Sequence, residues 1–304
     1  MEAGTRKVRA VTDPRDDSRS DSQSDSHSAS RSDPAALLRA YDEQLRDEAE
    51  TPSAVHVERL GPLRLATFLR GRGFITYSTL AQDGRPATPE SVEALVDGAL
   101  AHYRSDPSIV CVEWKTRGHD HAPGLHETLL AHGFTPDEPE SVMVGEAVLL
   151  AVDVAVSPDV AGELVVRQVT DEDDVRAMCA MQAEVFGDTP EFAEEILAQV
   201  LHRLRTRDDM EMWVAEVGDQ IVSAGRLEPV EGTEFAGIWG GATRPEWRGK
   251  GIYRALTSAR ARSAISLGKR YLNSDSTEFS RPILEQSGLV KVTTTTPYEW
   301  RRDA

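Results

Sequence analysis

One stretch, Trp239 to Gly268, constrains this chain more than any other. It reads WGGATRPEWRGKGIYRALTSARARSAISLG. An apolar strand ends at Thr243, a short polar turn follows, and then come Gly249 and Gly251 with Arg248 and Lys250 beside them. Ile252, Leu256, Ala259, Ser263 and Leu267 recur at helical spacing, so a helix begins at once. Gly268 is placed to end it in a left-handed cap. A strand, a glycine turn and a helix start leave backbone N–H groups pointing at an anion. Glycine lets the backbone approach that anion closely. Two cations at the turn favour a polyphosphate over a lone carboxylate, which predicts a diphosphate-binding loop. The competing reading is a glycine turn before a surface helix, with no ligand.

Two common phosphate loops do not fit. A Walker A loop needs Ser or Thr after its Gly-Lys, whereas Gly251 and then Ile252 follow Gly249-Lys250 here. A Rossmann fingerprint needs a third glycine and a place in the first βα unit. The run PEWRGKGIYRAL instead resembles motif A of the GNAT N-acetyltransferase superfamily, [R/Q]-x-x-G-x-[G/A] after a strand. That resemblance implies that Arg248, Gly249, Lys250, Gly251, Ile252, Tyr253 and Arg254 hold the pyrophosphate of acetyl-CoA. Arg248 and Gly251 match the motif. Tyr253 stands where the family has a small residue, a departure that either crowds the cofactor or turns the ring away.

Composition sets outer bounds. The 304 residues suffice for two domains and a tail. The net charge of −17, from 34 basic and 51 acidic residues, argues against nucleic-acid binding. Acidity helps attract a cationic acceptor, but solubility is its commoner reason. The two cysteines, Cys111 and Cys179, lie in apolar segments and read as buried thiols in a reducing cytoplasm. No run is long and apolar enough to span a membrane, and the N-terminus lacks an export core. The expected setting is cytoplasmic, with no membrane, nucleic-acid or metal partner. The sequence is silent on oligomeric state.

Residues 1–33 are rich in Ser and Asp and poor in aliphatic residues, so they are expected to be disordered. From 34 to 155 the pattern gives a helix at 34–45, a hairpin at 55–68, a strand at 74–80 and a helix at 90–104. A buried strand at 109–115, a short helix at 125–134 and a strand at 141–148 follow. This order parallels the second half and resembles a degenerate GNAT-like domain. Its turn AQDGRPATPE has one glycine, and its prolines remove N–H donors, so it is not expected to cradle a diphosphate. The histidine-rich loop GHDHAPGLH at 118–126 matches no zinc spacing and is read as solvated.

The second domain is expected over 160–304, giving an α/β fold of tandem GNAT-like units, each a mixed sheet flanked by helices. Asp171 opens a helix through Met181, residues 183–190 break it, and 190–204 form an amphipathic helix. Phe186 and Glu184 are candidate acceptor-loop residues, Phe186 reading equally well as core. Gly218-Asp219 joins two strands. The resemblance implies that the strand ending at Thr243 splays from its neighbour, so that Gly241, Ala242 and Thr243 bond the pantetheine arm. Val290 to Trp300 is expected to close this domain's sheet.

By the same resemblance, the family's usual base aligns with Gly237 and its usual acid with Leu284, so both side chains are missing. Substitutes are Glu228 or Glu234 for the base and Tyr298 or Ser280 for the acid, with Glu228 and Tyr298 the pair carried forward. Two functions follow as expectations. One is an N-acetyltransferase acting from acetyl-CoA on a primary amine of a small molecule or peptide. The other is a non-catalytic acyl-CoA-binding module.

Overall fold

The computed structural model describes residues 33–206, 210–278 and 280–302. The expectation of disorder for 1–33 therefore lies almost wholly outside the described residues. The chain begins with α1 (Pro34–Leu45), β1 (His56–Leu60), β2 (Leu63–Phe68), β3 (Arg72–Thr76) and α2 (Pro89–Ser105). It continues through β4 (Cys111–Arg117), α3 (Leu125–Ala131), β5 (Thr135–Pro136), β6 (Glu140–Glu146), α4 (Ala147–Leu150) and β7 (Leu164–Val169). Then come α5 (Glu172–Phe186), α6 (Pro190–Thr206), β8 (Glu211–Val217), β9 (Gln220–Pro229) and β10 (Phe235–Thr243). The chain ends with α7 (Ile252–Ser266), β11 (Tyr271–Ser276), α8 (Arg281–Gln286) and β12 (Val290–Arg301).

These elements form two compact units that do not follow chain order. The α2 unit comprises Pro34–Gly145, Pro229–Gly237 and 269–302; the α7 unit comprises Glu146–Glu228 and Ile238–Gly268. In the α2 unit the strand order is β1-β2-β3-β4-β12-β6-β11. The sheet is mixed, since β3 runs parallel to β4 while β12 runs antiparallel to both β4 and β6. Its core gathers Tyr77, Tyr103, Trp114, Leu129 and Phe134 under α2 and α3. A smaller cluster sets Leu37 and Tyr41 of α1 against Val142, Phe235 and Tyr271. In the α7 unit, β8 pairs antiparallel with β7 and with β9. One core lies beneath α5 and α6, around Met178, Met181, Met212 and Val214. Another lies beneath α7, around Leu164, Val217, Ile252 and Leu256.

Two expectations are corrected. The last strand does not close a sheet built from its own half of the chain. Residues Thr295–Arg301 pair with β4, and Val290–Thr295 with β6. The physical reason is in its alternation: Tyr298 and Trp300 fall on one face and are buried with Trp114, Leu129 and Phe134. The helix opened by Asp171 also runs past Met181 to Phe186, where Gly187 stops it in a left-handed cap. Phe186 is exposed there rather than core.

Candidate acyl-donor site

In the α7 unit the glycine turn leads straight into the helix. Pro245–Trp247 makes one tight turn, and Gly249 (φ +76°) and Gly251 (φ +81°) are both left-handed. Gly251 is the N-cap of α7, and no side chain caps this helix. The first helical bond runs from the Ala255 N–H to the Gly251 carbonyl. The N–H groups of Ile252, Tyr253 and Arg254 thus have no partner inside the helix. Gly251 is required twice over. Its φ disfavours a side chain, and a Cβ would come within 2.7 Å of the Ala155 carbonyl oxygen. The segment behind the turn is tied down by the Ser157 N–H, which donates to the Lys250 carbonyl at 3.0 Å.

The start of α2 is the contrasting case. Thr88 Oγ1 accepts from the Ser91 N–H, Ser91 Oγ accepts from the Thr88 N–H, and proline occupies the first turn. Its donors are consumed by its own side chains, so one helix start is open and the other closed.

The two loop cations differ. Lys250 Nζ pairs with Asp159 at 2.7 Å and stands 4.9 Å from the Trp247 ring centroid. Such an exposed pair is worth little and exchanges easily for a phosphate oxygen. Arg248 is exposed and, among the described residues, uses only Nε, donating to the Thr243 carbonyl at 3.0 Å. Its guanidinium fork is left toward solvent. Arg254 is also exposed. Tyr253 turns inward: its hydroxyl lies 2.7 Å from where a Cβ on Gly241 would stand. Only glycine at 241 makes room for this ring. Ala242 is buried, and its carbonyl accepts from the Ser223 hydroxyl, which also bonds the Thr243 hydroxyl.

β10 pairs in parallel with β11 through Phe235–Tyr271, Ala236–Leu272 and Gly237–Asn273, the last pair of the register. Gly240 then has φ +61°, a break in extended geometry that sequence reasoning missed. Gln182 Nε2 donates to the Gly240 carbonyl at 2.5 Å, and Arg226 packs on the same glycine. Alternation in a strand carries no sign of such a kink, although two successive glycines, Gly240 and Gly241, are a faint one.

Both expected catalytic side chains are engaged in hydrogen bonds. Glu228 is clamped by Arg203, whose Nη1 lies at 3.2 Å, and by Arg226 Nε at 3.0 Å. Burial pushes its carboxyl up, but Arg226 and Arg203 overcome that and hold it below the usual glutamate range. A carboxylate held that way is a poor proton acceptor. Tyr298 belongs to the α2 unit, where its buried hydroxyl bonds His126 Nδ1 at 2.7 Å. Leu284 is buried and apolar, Ser280 occupies the N-cap position of α8 without a side-chain capping bond, and Glu234 is exposed in the turn before β10. Glu184 pairs with Arg244 at 2.7 Å. In the 118–126 loop, His119 bonds Thr293 and Asp42. Among the described residues no three His, Cys, Asp or Glu side chains converge as for a metal.

The chain thus combines an open helix start with mixed α/β sheets. Residues 158–274 match the family described as Acetyltransferase (GNAT) domain, so the chain carries a GNAT domain over that stretch. No curated protein matches the sequence. Among solved structures, the chain is similar to a GCN5-related N-acetyltransferase from Kribbella flavida, at 14% identity and TM-score 0.57, over 89% of this chain and 95% of that one. It is similar to a functionally unknown conserved protein from Staphylococcus epidermidis ATCC 12228, at 14% identity and TM-score 0.62, over 82% and 95%. It is also similar to a tandem GNAT protein from the clavulanic acid biosynthesis pathway, at 16% identity and TM-score 0.56, over 81% and 80%. At such identities the likeness shows the fold, which is that of tandem GNAT proteins.

Proposed function

We propose that this protein is an N-acetyltransferase that moves an acetyl group from acetyl-CoA to a primary amine of a small molecule or peptide. The observation that carries the reading is the uncapped, glycine-entered start of α7, set against the self-capped start of α2. Backbone N–H groups at 252–254, with Arg248 and Lys250, suit the two phosphates of the donor. Gly241, Ala242 and Thr243 would follow its pantetheine arm. Transfer by direct attack forms the N–C bond as the C–S bond breaks, and the proton shed by the amine ends on the departing thiolate. With no base at Gly237 and no acid at Leu284, rate would rest on positioning and on backbone donors to the developing oxyanion. The two buried cysteines, neither in a disulfide, suit a reducing cytoplasm. Among the described residues no helix is long and apolar enough to cross a membrane.

We further read 34–155 and 160–304 as two copies of one fold that have exchanged their last strands. β6, from the first copy, lies beside β11 of the second, while β12, from the second, lies beside β4 of the first. The first copy lacks a phosphate loop because α2 is closed.

The second reading, a non-catalytic acyl-CoA-binding module, is favoured by the Tyr253 ring against Gly241 and by the clamped Glu228. Acetyl-CoA with an amine panel, followed by release of free thiol, separates the two. Turnover on any primary amine supports the enzyme. Tight binding without turnover across the panel supports the module.

A further inference from the structure

Around the kink of β10 the α7 unit collects more positive charge than it neutralises. Arg226 and Glu228 project from the same face of β9, Arg203 comes from α6 and Arg260 from α7. Among the described residues Glu228 is the one carboxylate bonded to this group, and it accepts from both Arg203 and Arg226. Arg260 is fully buried and pairs with no acid among the described residues. It donates to the Arg226 carbonyl at 3.2 Å and to Thr257 Oγ1 at 3.1 Å. The Nε groups of Arg203 and Arg260 are buried without an acceptor among the described residues. Arg226 spends its Nε on Glu228. Its Nη1 and Nη2 make no hydrogen bond among the described residues, and its side chain is 20% exposed, so solvent reaches it. Its Nη1 stands 3.2 Å from where a Cβ on Gly240 would be, beside Gln182 Nε2 at 3.0 Å.

Buried guanidinium groups are costly unless paired; here Arg203 and Arg226 share one carboxylate, and the fully buried Arg260 has none among the described residues. The surplus is composed of donors, and the planar fork of Arg226 fits a carboxylate in two-point fashion. We propose that Arg226, positioned by Glu228, binds a carboxylate carried by the acceptor, so that the acceptor is an amino acid or similar zwitterion rather than a simple cationic amine. This rests on the acetyl-transfer reading for its chemistry, but not for its binding site. The net charge of the whole chain does not oppose it, because the local charge near Gly240 is positive.

The test uses the intact chain and matched pairs differing only in the carboxylate: L-leucine with L-leucinamide, L-phenylalanine with L-phenylalaninamide, and L-glutamate with L-isoglutamine. Thiol release from acetyl-CoA gives KM and kcat. In parallel, calorimetry without acetyl-CoA compares N-acetyl-L-leucine with N-acetyl-L-leucinamide, and the other two N-acetyl pairs likewise. The carboxylate member should be favoured about 10- to 100-fold in at least one pair, through KM or Kd rather than kcat. Arg226→Gln should abolish that preference, and Arg226→Lys should keep part of it, which separates lost recognition from lost folding. Equal affinity within every pair, no binding by any member, or an unchanged preference in Arg226→Gln overturns the proposal. Carboxylate preference in calorimetry with no acetyl-CoA uptake would instead overturn the acetyl-transfer reading and leave this site standing.

Discussion

Gly251 carries two independent constraints, a left-handed backbone and contact with the Ala155–Val156 segment. Gly251→Ala should therefore lower unfolding free energy by about 1–3 kcal/mol in urea titration. A change within experimental error would mean that the turn relaxes without strain. Glu228 makes a pH-dependent prediction. Its folded value lies below its unfolded value, so its contribution is complete at neutral pH and is lost as pH falls through and below the carboxylate range. Glu228→Gln should cost about 3 kcal/mol at pH 7, because it leaves Arg203 and Arg226 uncompensated. The gap to wild type should narrow by pH 4, and an equal gap at both would show that the clamp contributes no charge-dependent stability. Gly249, Gly251, Arg248 and Lys250 were legible in the sequence because they crowd one turn. The Gly240 kink was not, since it depends on Gln182 and Arg226, 58 and 14 residues away in the chain. Nor was the Glu228 clamp, whose partner Arg203 sits on a helix whose amphipathic pattern says nothing about β9.

The two helix starts divide the labour between elements. α2 is sealed by the reciprocal Thr88–Ser91 bonds, whereas α7 is entered through glycine and left open. Thr88→Ala should lower stability by about 1 kcal/mol in chemical denaturation without altering acetyl-CoA affinity. A drop in that affinity would mean that α2, not α7, receives the donor. Most elements were readable from period alone: the β1–β2 hairpin turning at Gly61, the amphipathic α6, and α7 ended by Gly268. The partner of β12 was not. Alternation reveals which side chains of a strand share a face, but not which sheet will bury them. Tyr298 and Trp300 find that burial beside Trp114.

At the scale of the molecule, the proposed exchange of β6 and β12 would make each half depend on the other for a sheet neighbour. Residues 34–155 and 156–304 expressed singly should aggregate or lack a cooperative unfolding transition, and co-expression should restore one. Two soluble, cooperatively folded halves would refute the exchange. The central claim, that the open start of α7 receives the diphosphate of acetyl-CoA, is tested most directly by calorimetric titration of the intact chain with acetyl-CoA, alongside Arg248→Ala and Gly251→Trp. Saturable binding by wild type, weakened about tenfold by Arg248→Ala and abolished by Gly251→Trp, is the predicted result. Affinity unchanged in both variants, or no uptake by wild type, would contradict it.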